Sequence, residues 1–214
     1  VSVITVAPPH RSISEVGQSP RQAPPGILSA LESSLATCEL LLVDGRFPEV
    51  QVDAARQVRA HGGLVMLDAG RPREGLESLR PLIDLAFVSS SFCGREGWPR
   101  RPDDLARLLA GCIAQDSSRA AGVTLGAEGC VYVEGDSLRR SAAYEVDVLD
   151  STGAGDVFHA GLAEALLSGE ALDAAVDFAS AAAALSCRGL TGRAPVGTVA
   201  QVQAWMANAA RRGD

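Results

Sequence analysis

The stretch Asp150-Ser-Thr-Gly-Ala-Gly-Asp156 puts two acids and two glycines between a short β-like segment and an apolar helical pattern. Gly153 and Gly155 admit backbone conformations that other residues avoid, so successive N–H groups can converge at the start of a helix. The helix dipole adds positive potential at that end, which makes the turn a natural anion cradle. Asp156 stands at its mouth. A carboxylate beside an anion is electrostatically unfavourable, which argues against a purely structural acid. Beside a phosphate it has a chemical use, taking the proton of an attacking hydroxyl while the cradle takes the developing charge. The same residues also make an ordinary glycine turn whose first helical residues favour acids, and local chemistry alone leaves these two readings level. Asp150 is placed to accept N–H groups of its own turn. The turn is not a Rossmann fingerprint, because Phe158 stands where the third glycine would be, and the chain has no P-loop pattern.

Other polar residues have simpler uses. His159 follows Asp156 by three residues and shares its helix face, yet reads as a packed histidine. Arg46, Arg71 and Arg73 can reach an anionic ligand, but solvated loop arginines are the default. Trp98 and Trp205 read as packing residues. Five cysteines, at 38, 93, 112, 130 and 187, form no C-x-x-C pair, which excludes the usual zinc and dithiol frameworks. They read as reduced core thiols.

The elements that carry these residues alternate. Residues 1–6 and 11–16 read as two β segments, with a Pro-rich linker at 17–26. Helical spacing starts at Ile27. Strands are expected at 39–44, 64–68 and 84–88, with helices at 48–61, 73–80 and 103–114. Short strand–helix–strand connections argue for a parallel sheet covered by helices. The pattern then changes to three β segments without intervening helices, at 122–125, 130–134 and 142–149, an expected antiparallel edge. Helices at 156–168 and 171–186 follow, the second rich in alanine and so expected to pack closely. Thr198-Val-Ala-Gln201 is a capping box that opens a last helix.

Composition narrows the function classes. The 214 residues are 47% hydrophobic, enough for one sizeable core, and 19 basic against 26 acidic residues leave a net charge of −7. Such an acidic chain with 4% aromatics is a poor partner for nucleic acid or an anionic membrane. No apolar run approaches the roughly 18 residues of a membrane span. No secretory signal pattern is present, and a cytoplasmic setting is expected. The chain opens at Val1 inside a strand pattern, which reads as a fragment or processed form.

Residues 150–163 resemble, position by position, the C-terminal signature of the ribokinase-like (PfkB) family of carbohydrate kinases. Val123-Thr-Leu-Gly-Ala-Glu-Gly129 is similar to that family's nucleotide loop. Asp44-Gly-Arg46 and the run from Leu67 to Glu74 resemble its ketohexokinase and fructokinase-like branch. Residues 178–187, followed by Gly192 to Pro195, resemble its adenine-side helix and closing loop. The resemblance implies a three-layer αβα sandwich over 27–214, with 1–26 as a partial β-lid and linker. It implies transfer of the ATP γ-phosphate to a hydroxyl of a small sugar, a ketose first. Asp156 would be the general base, and Gly153, Ala154 and Gly155 would offer N–H groups to the transferring phosphate. Thr124, Gly126, Gly129, Ser180 and Ala183 would border the nucleotide, and Arg46 the sugar. Mg²⁺ would be held by ATP phosphates and water, with no protein metal ligand assigned. A monovalent cation beside Asp150 and a homodimer through the lid are further implications.

Three departures stand out. The family's upstream segment, with a Gly-Gly sugar-recognition stretch, has no counterpart here. Ser89-Ser-Ser-Phe92 stands where many relatives carry Asn-x-x-Glu, and Ser186 lies near a position where related sugar kinases carry a Lys. They keep open a second reading, a non-catalytic nucleotide-binding remnant. A dinucleotide oxidoreductase fits the alternation but not the glycine spacing.

Overall fold

The computed structural model describes residues 2–7, 10–15, 23–73, 75–95, 97–112, 120–192 and 196–212. Residues 17–22 of the expected linker, Glu74, the helix end at 113–114 and the closing-loop residues 193–195 lie outside those described. The chain divides into two compact units, one of Pro20–Leu125 and Cys130–Arg140, the other of Val1–Ser19, Gly126–Gly129 and Ser141–Asp214.

The first unit carries a six-stranded sheet. Its strands are β3 (Leu40–Val43), β4 (Leu64–Ala69), β5 (Leu85–Ser89), β6 (Ala120–Thr124), β7 (Cys130–Glu134) and β8 (Ser137–Ser141, whose last residue falls in the other unit), in that spatial order. β3 to β6 run parallel, and β7 turns back antiparallel to β6 with Gly122 opposite Tyr132. Each parallel step is a crossover through a helix. The first two use α2 (Pro48–Ala60) and the short α3 (Leu76–Leu79), and the third α4 (Pro102–Cys112). α1 (Ile27–Leu35) packs on α2. Apolar runs explain the burial, since Val65, Met66, Ala86, Phe87 and Val88 are all fully enclosed, as strands covered on both faces must be.

Local chemistry sets the element ends. Pro48 opens α2, where its missing N–H is no loss. Gly63 after the helix leaves room for the Cys38 carbonyl, which a Cβ would meet at 2.4 Å. Gly122 inside β6 makes way for the Phe87 ring, 2.5 Å from where a Cβ would stand. Asp84 is buried before β5, accepts the Val65 N–H at 2.9 Å and pairs with Arg59 of α2.

The antiparallel edge differs from the expected one. The last β segment is Ser137–Ser141, not 142–149. Gly135-Asp136 makes a two-residue hairpin turn with Gly135 at φ 57°, a geometry that glycine adopts without strain. Within 142–149 only Tyr144 is buried, and its bridge is to Arg211 rather than to a strand. The alternation there reflects a segment laid on the rest of its unit. The helix expected at 73–80 shrinks to α3, which starts only after Gly75 at a left-handed φ of 95° and passes into a 3-10 turn at Arg80–Leu82 where Pro81 interrupts the ladder.

In the second unit, β1 (Ser2–Ala7) and β2 (His10–Glu15) form an antiparallel pair, in register from Ser2 opposite Glu15 to Ala7 opposite His10. The unit holds α5 (Ala154–Leu167), α6 (Leu172–Ser186) and α7 (Val199–Met206). α5 and α6 pack through small residues, with a Cβ at Gly161 only 3.1 Å from the Ala179 Cα and 3.4 Å from the Ala182 Cβ. The capping box of α7 forms as expected, with Thr198 Oγ1 accepting the Gln201 N–H and Gln201 Oε1 accepting the Thr198 N–H.

Candidate active site

The turn before α5 is braced from below. Buried Asp150 accepts the Thr152 N–H on Oδ1 at 2.8 Å and the Thr191 N–H on Oδ2 at 3.0 Å. One carboxylate therefore ties the turn to the segment after α6. The N–H groups of Leu149 and Asp150 both donate to the Cys187 carbonyl, at 2.8 and 3.1 Å. Gly153 takes a left-handed φ of 76° as the N-cap of α5. A Cβ there would meet Gly192 Cα at 3.0 Å, and one at Gly192 would meet the Thr152 carbonyl oxygen at 3.2 Å. Two backbones lie in contact here because neither residue has a side chain. Thr191 pays for the approach with φ 74°, a strained value for a β-branched residue.

The upper face of the turn is open. The Val157 N–H makes the first helical bond, to the Gly153 carbonyl at 2.9 Å, and the Ala154 N–H turns back to Ser151 at 3.3 Å. The N–H groups of Gly155 and Asp156 fall in the first turn, where an α-helix offers no acceptor. Among the described residues, a Cβ on Gly155 would meet nothing within 4 Å. Asp156 is exposed at the third helical position. Donors without helical acceptors, free space and an accessible carboxylate thus coincide at one helix end. Beneath them the Thr152 Oγ1 is buried with no hydrogen-bond partner among the described residues. His159 is buried, edge-on to Phe158, with Nδ1 2.8 Å from the Gly155 carbonyl. A carbonyl only accepts, so Nδ1 carries the proton, and His159 braces the helix start as a packed residue.

The other expected site residues fall in two groups. Gly126 and Gly129 flank a 3-10 turn in the same unit as Asp156, and the Gly129 N–H closes it on the Gly126 carbonyl at 3.0 Å. Ser180 and Ala183 are half-buried on α6, in the half of that helix that lies along the start of α5. The Ser180 hydroxyl is turned onto its own helix, donating to the Val176 carbonyl at 2.8 Å. Thr124 and Arg46 belong to the sheet-bearing unit. Thr124 ends β6, its hydroxyl 3.4 Å from the Val88 carbonyl. Arg46 is half-exposed, its Nε 3.2 Å from Asp44 Oδ2. Ser89 and Ser91 both donate to the Gly70 carbonyl oxygen, beyond the end of β4. Among the described residues no three His, Cys, Asp or Glu side chains gather as a metal site, and no helix is long and apolar enough to cross a membrane.

The description "pfkB family carbohydrate kinase" matches residues 22–197. The chain belongs to this family. Among pfkB relatives it is 27% identical over 157 residues to the ribokinase of Haemophilus influenzae, covering 72% of this chain and 51% of that protein. It is 28% identical over 197 residues to the ribokinase of Arabidopsis thaliana, covering 87% of this chain and 50% of the relative. The chain spans about half the length of these curated relatives. The solved structure of a candidate ribokinase from Agrobacterium tumefaciens superposes with a TM-score of 0.77 at 28% identity, over 96% of this chain and 67% of that one. The Arabidopsis ribokinase complexed with ribose and ATP shares the fold, with a TM-score of 0.74 at 22% identity, over 96% and 68% of the two chains. The pfkB chain therefore has the ribokinase-type α/β fold, with its mostly parallel sheet and antiparallel edge.

Sequence reasoning missed Thr191, Gly192 and Cys187 as supports of the pfkB turn. Cys187 and Gly192 left a trace only as the end of the expected adenine-side helix and the start of the expected closing loop. The Asp150 bond to Thr191 joins residues 41 positions apart and leaves no local pattern.

Proposed function

We propose that the protein transfers the γ-phosphoryl group of ATP to a hydroxyl of a small sugar. The observation that carries this is the open first turn of α5, with exposed Asp156 beside the N–H groups of Gly155 and Asp156. Membership of the pfkB family adds independent support.

In this reading Asp156 takes the proton of the sugar hydroxyl as that oxygen attacks the γ-phosphorus. The helix dipole and the N–H groups of the Gly153–Gly155 turn stabilise charge on the phosphoryl oxygens, which move in line from the β-phosphate to the sugar. Gly126, Gly129, Thr124, Ser180 and Ala183 border the nucleotide. The donor set fits a triphosphate, since the space before Gly155 is open and the turn is already braced by Asp150. Mg²⁺ bound to the ATP phosphates would supply charge neutralisation there, held by those phosphates and water. Both Asp150 oxygens accept backbone N–H groups, so its first task is to fix the turn, while the unpartnered Thr152 hydroxyl leaves capacity for one more polar atom or ion there. The β1–β2 pair is part of a sugar-covering lid, through which two copies would pair.

The acceptor is the finer question. The curated relatives above are ribokinases, which favours ribose. The resemblance of Asp44-Gly-Arg46 to the fructokinase-like branch favours a ketose, with Arg46 at the sugar. Product formation from Mg·ATP with ribose, fructose and related pentoses and hexoses tests both. A phosphorylated sugar from this panel is the expected result. ATP binding without any sugar phosphate would contradict the proposal and support a non-catalytic nucleotide-binding role.

A further inference from the structure

The expected nucleotide loop, Gly126–Gly129, begins and ends on glycine. Gly129 is buried at φ 89°, and a Cβ on it would lie 2.0 Å from the Ser141 carbonyl oxygen, 2.8 Å from the Ala143 nitrogen and 3.0 Å from the Ala142 carbonyl carbon. The end of the loop at Gly129 therefore lies flush on the backbone of 141–143. Its position is set by whatever fixes that backbone.

One side chain near the C-terminus does so. Arg211 Nη1 donates to the Ala142 carbonyl at 2.9 Å and lies 3.4 Å from the Ser141 hydroxyl. Its Nη2 donates to the Tyr144 hydroxyl at 3.0 Å and pairs with Asp177 of α6. The guanidinium also lies 4.2 Å from the centre of the Tyr144 ring. Two main-chain bonds flank it, Glu145 N–H to Ala210 at 2.9 Å and Arg212 N–H to Ala143 at 2.9 Å. Tyr144 is buried, donates to Asp177 Oδ1 at 3.1 Å and packs on Trp205 at 5.1 Å. Burial first, then the Asp177 charge, push its hydroxyl up to about 12, so it remains a donor. Asp177 precedes Ser180 by one turn of α6. All of these residues lie in one compact unit.

We propose that Arg211 is a positioning residue for nucleotide binding, clamping residues 141–144 so that the Gly126–Gly129 loop keeps the shape that receives the nucleotide. This rests on the kinase reading above, but its mechanical half does not need turnover. A planar fork is required, because one guanidinium serves a backbone carbonyl, the Tyr144 hydroxyl and a carboxylate together.

The test uses the full chain and a fluorescent ADP analogue, with amide hydrogen exchange read at 126–129 and 141–144. Arg211→Met should weaken analogue binding by at least about tenfold, as expected for lost charged hydrogen bonds, and should speed exchange in both segments. Arg211→Lys should restore pairing to Asp177 but only part of the affinity. Val202→Ala, a core truncation on α7, controls for lost stability alone and should leave affinity within about twofold. Unchanged exchange at 126–129 in Arg211→Met, or equal affinity loss in Val202→Ala, overturns the clamp. Faster exchange with unchanged analogue affinity in Arg211→Met overturns the nucleotide role. If the unaltered chain fails to bind the analogue, the kinase reading falls and takes this role with it.

Discussion

At the scale of the residue, the site depends on positions that lack a side chain. Gly153 and Gly192 allow two backbones to touch, and Gly129 allows a third contact against 141–143. Gly126 and Gly129 look alike in sequence, yet their surroundings differ. Among the described residues a Cβ on Gly126 meets nothing within 4 Å, whereas one on Gly129 would lie 2.0 Å from the Ser141 carbonyl oxygen. Gly126→Ala should therefore lower stability by only about 1–2 kcal/mol, the usual penalty of a left-handed backbone. Gly129→Ala should lower it by more than about 3 kcal/mol, since backbone has to move. Urea unfolding of the two variants checks this, and equal losses would contradict the close contact. The two glycines of the turn were legible because their types and spacing are local. The role of Gly129 as a backbone contact was not, because residues 141–143 reach it only through the fold.

At the scale of the element, α5 carries the site and α6 holds α5 in place. Their contact relies on Gly161 facing Ala179 and Ala182, so it tolerates no added bulk. Gly161→Val should destabilise the protein by about 1–3 kcal/mol through overpacking. Gly111, near the end of α4, is the opposite case, with nothing within 4 Å of its Cβ position among the described residues. Gly111→Ala should stabilise by roughly 0.5–1 kcal/mol, the helix-propensity gain. Thermal melts of both variants decide, and a stabilising Gly161→Val would refute the close packing of α5 on α6. Most elements were readable from apolar runs and caps. The alanine content of α6 announced its tight packing, and the Thr198–Gln201 box announced α7. The last strand was misplaced because 142–149 alternates like a strand, while the true strand Ser137–Ser141 carries Arg139 and Arg140, and charged residues of this kind commonly blunt a sheet edge. Arg211, Tyr144 and Asp177 are individually unremarkable in sequence, and their joint role exists only once the chain has folded back to join Tyr144 and Arg211, 67 positions apart.

At the scale of the whole molecule, the protein's stability should have a marked alkaline limb. Burial pushes the Cys130 thiol up from 9.0 to about 12, and burial and the Asp177 charge push the Tyr144 hydroxyl up from 10.0 to about 12. Both groups hold their protons more tightly folded than unfolded. Their contribution is therefore complete below about pH 9 and is lost as pH rises toward 12. Melting temperature should fall above pH 9, and Cys130→Ala should flatten the first part of that fall. A flat profile through pH 11 in the unaltered protein would contradict it, since both groups would be titrating as if unfolded. The proposed phosphoryl transfer also belongs to this scale, because it would need turn, helix and the expected nucleotide loop together. Sugar-dependent ADP release from Mg·ATP, compared between the unaltered protein and Asp156→Asn, tests it most directly. Release should fall by roughly 10²–10⁴ in kcat in the variant, the usual share of a general base, with nucleotide affinity preserved. Sugar-dependent release that survives at nearly full rate in Asp156→Asn would contradict it.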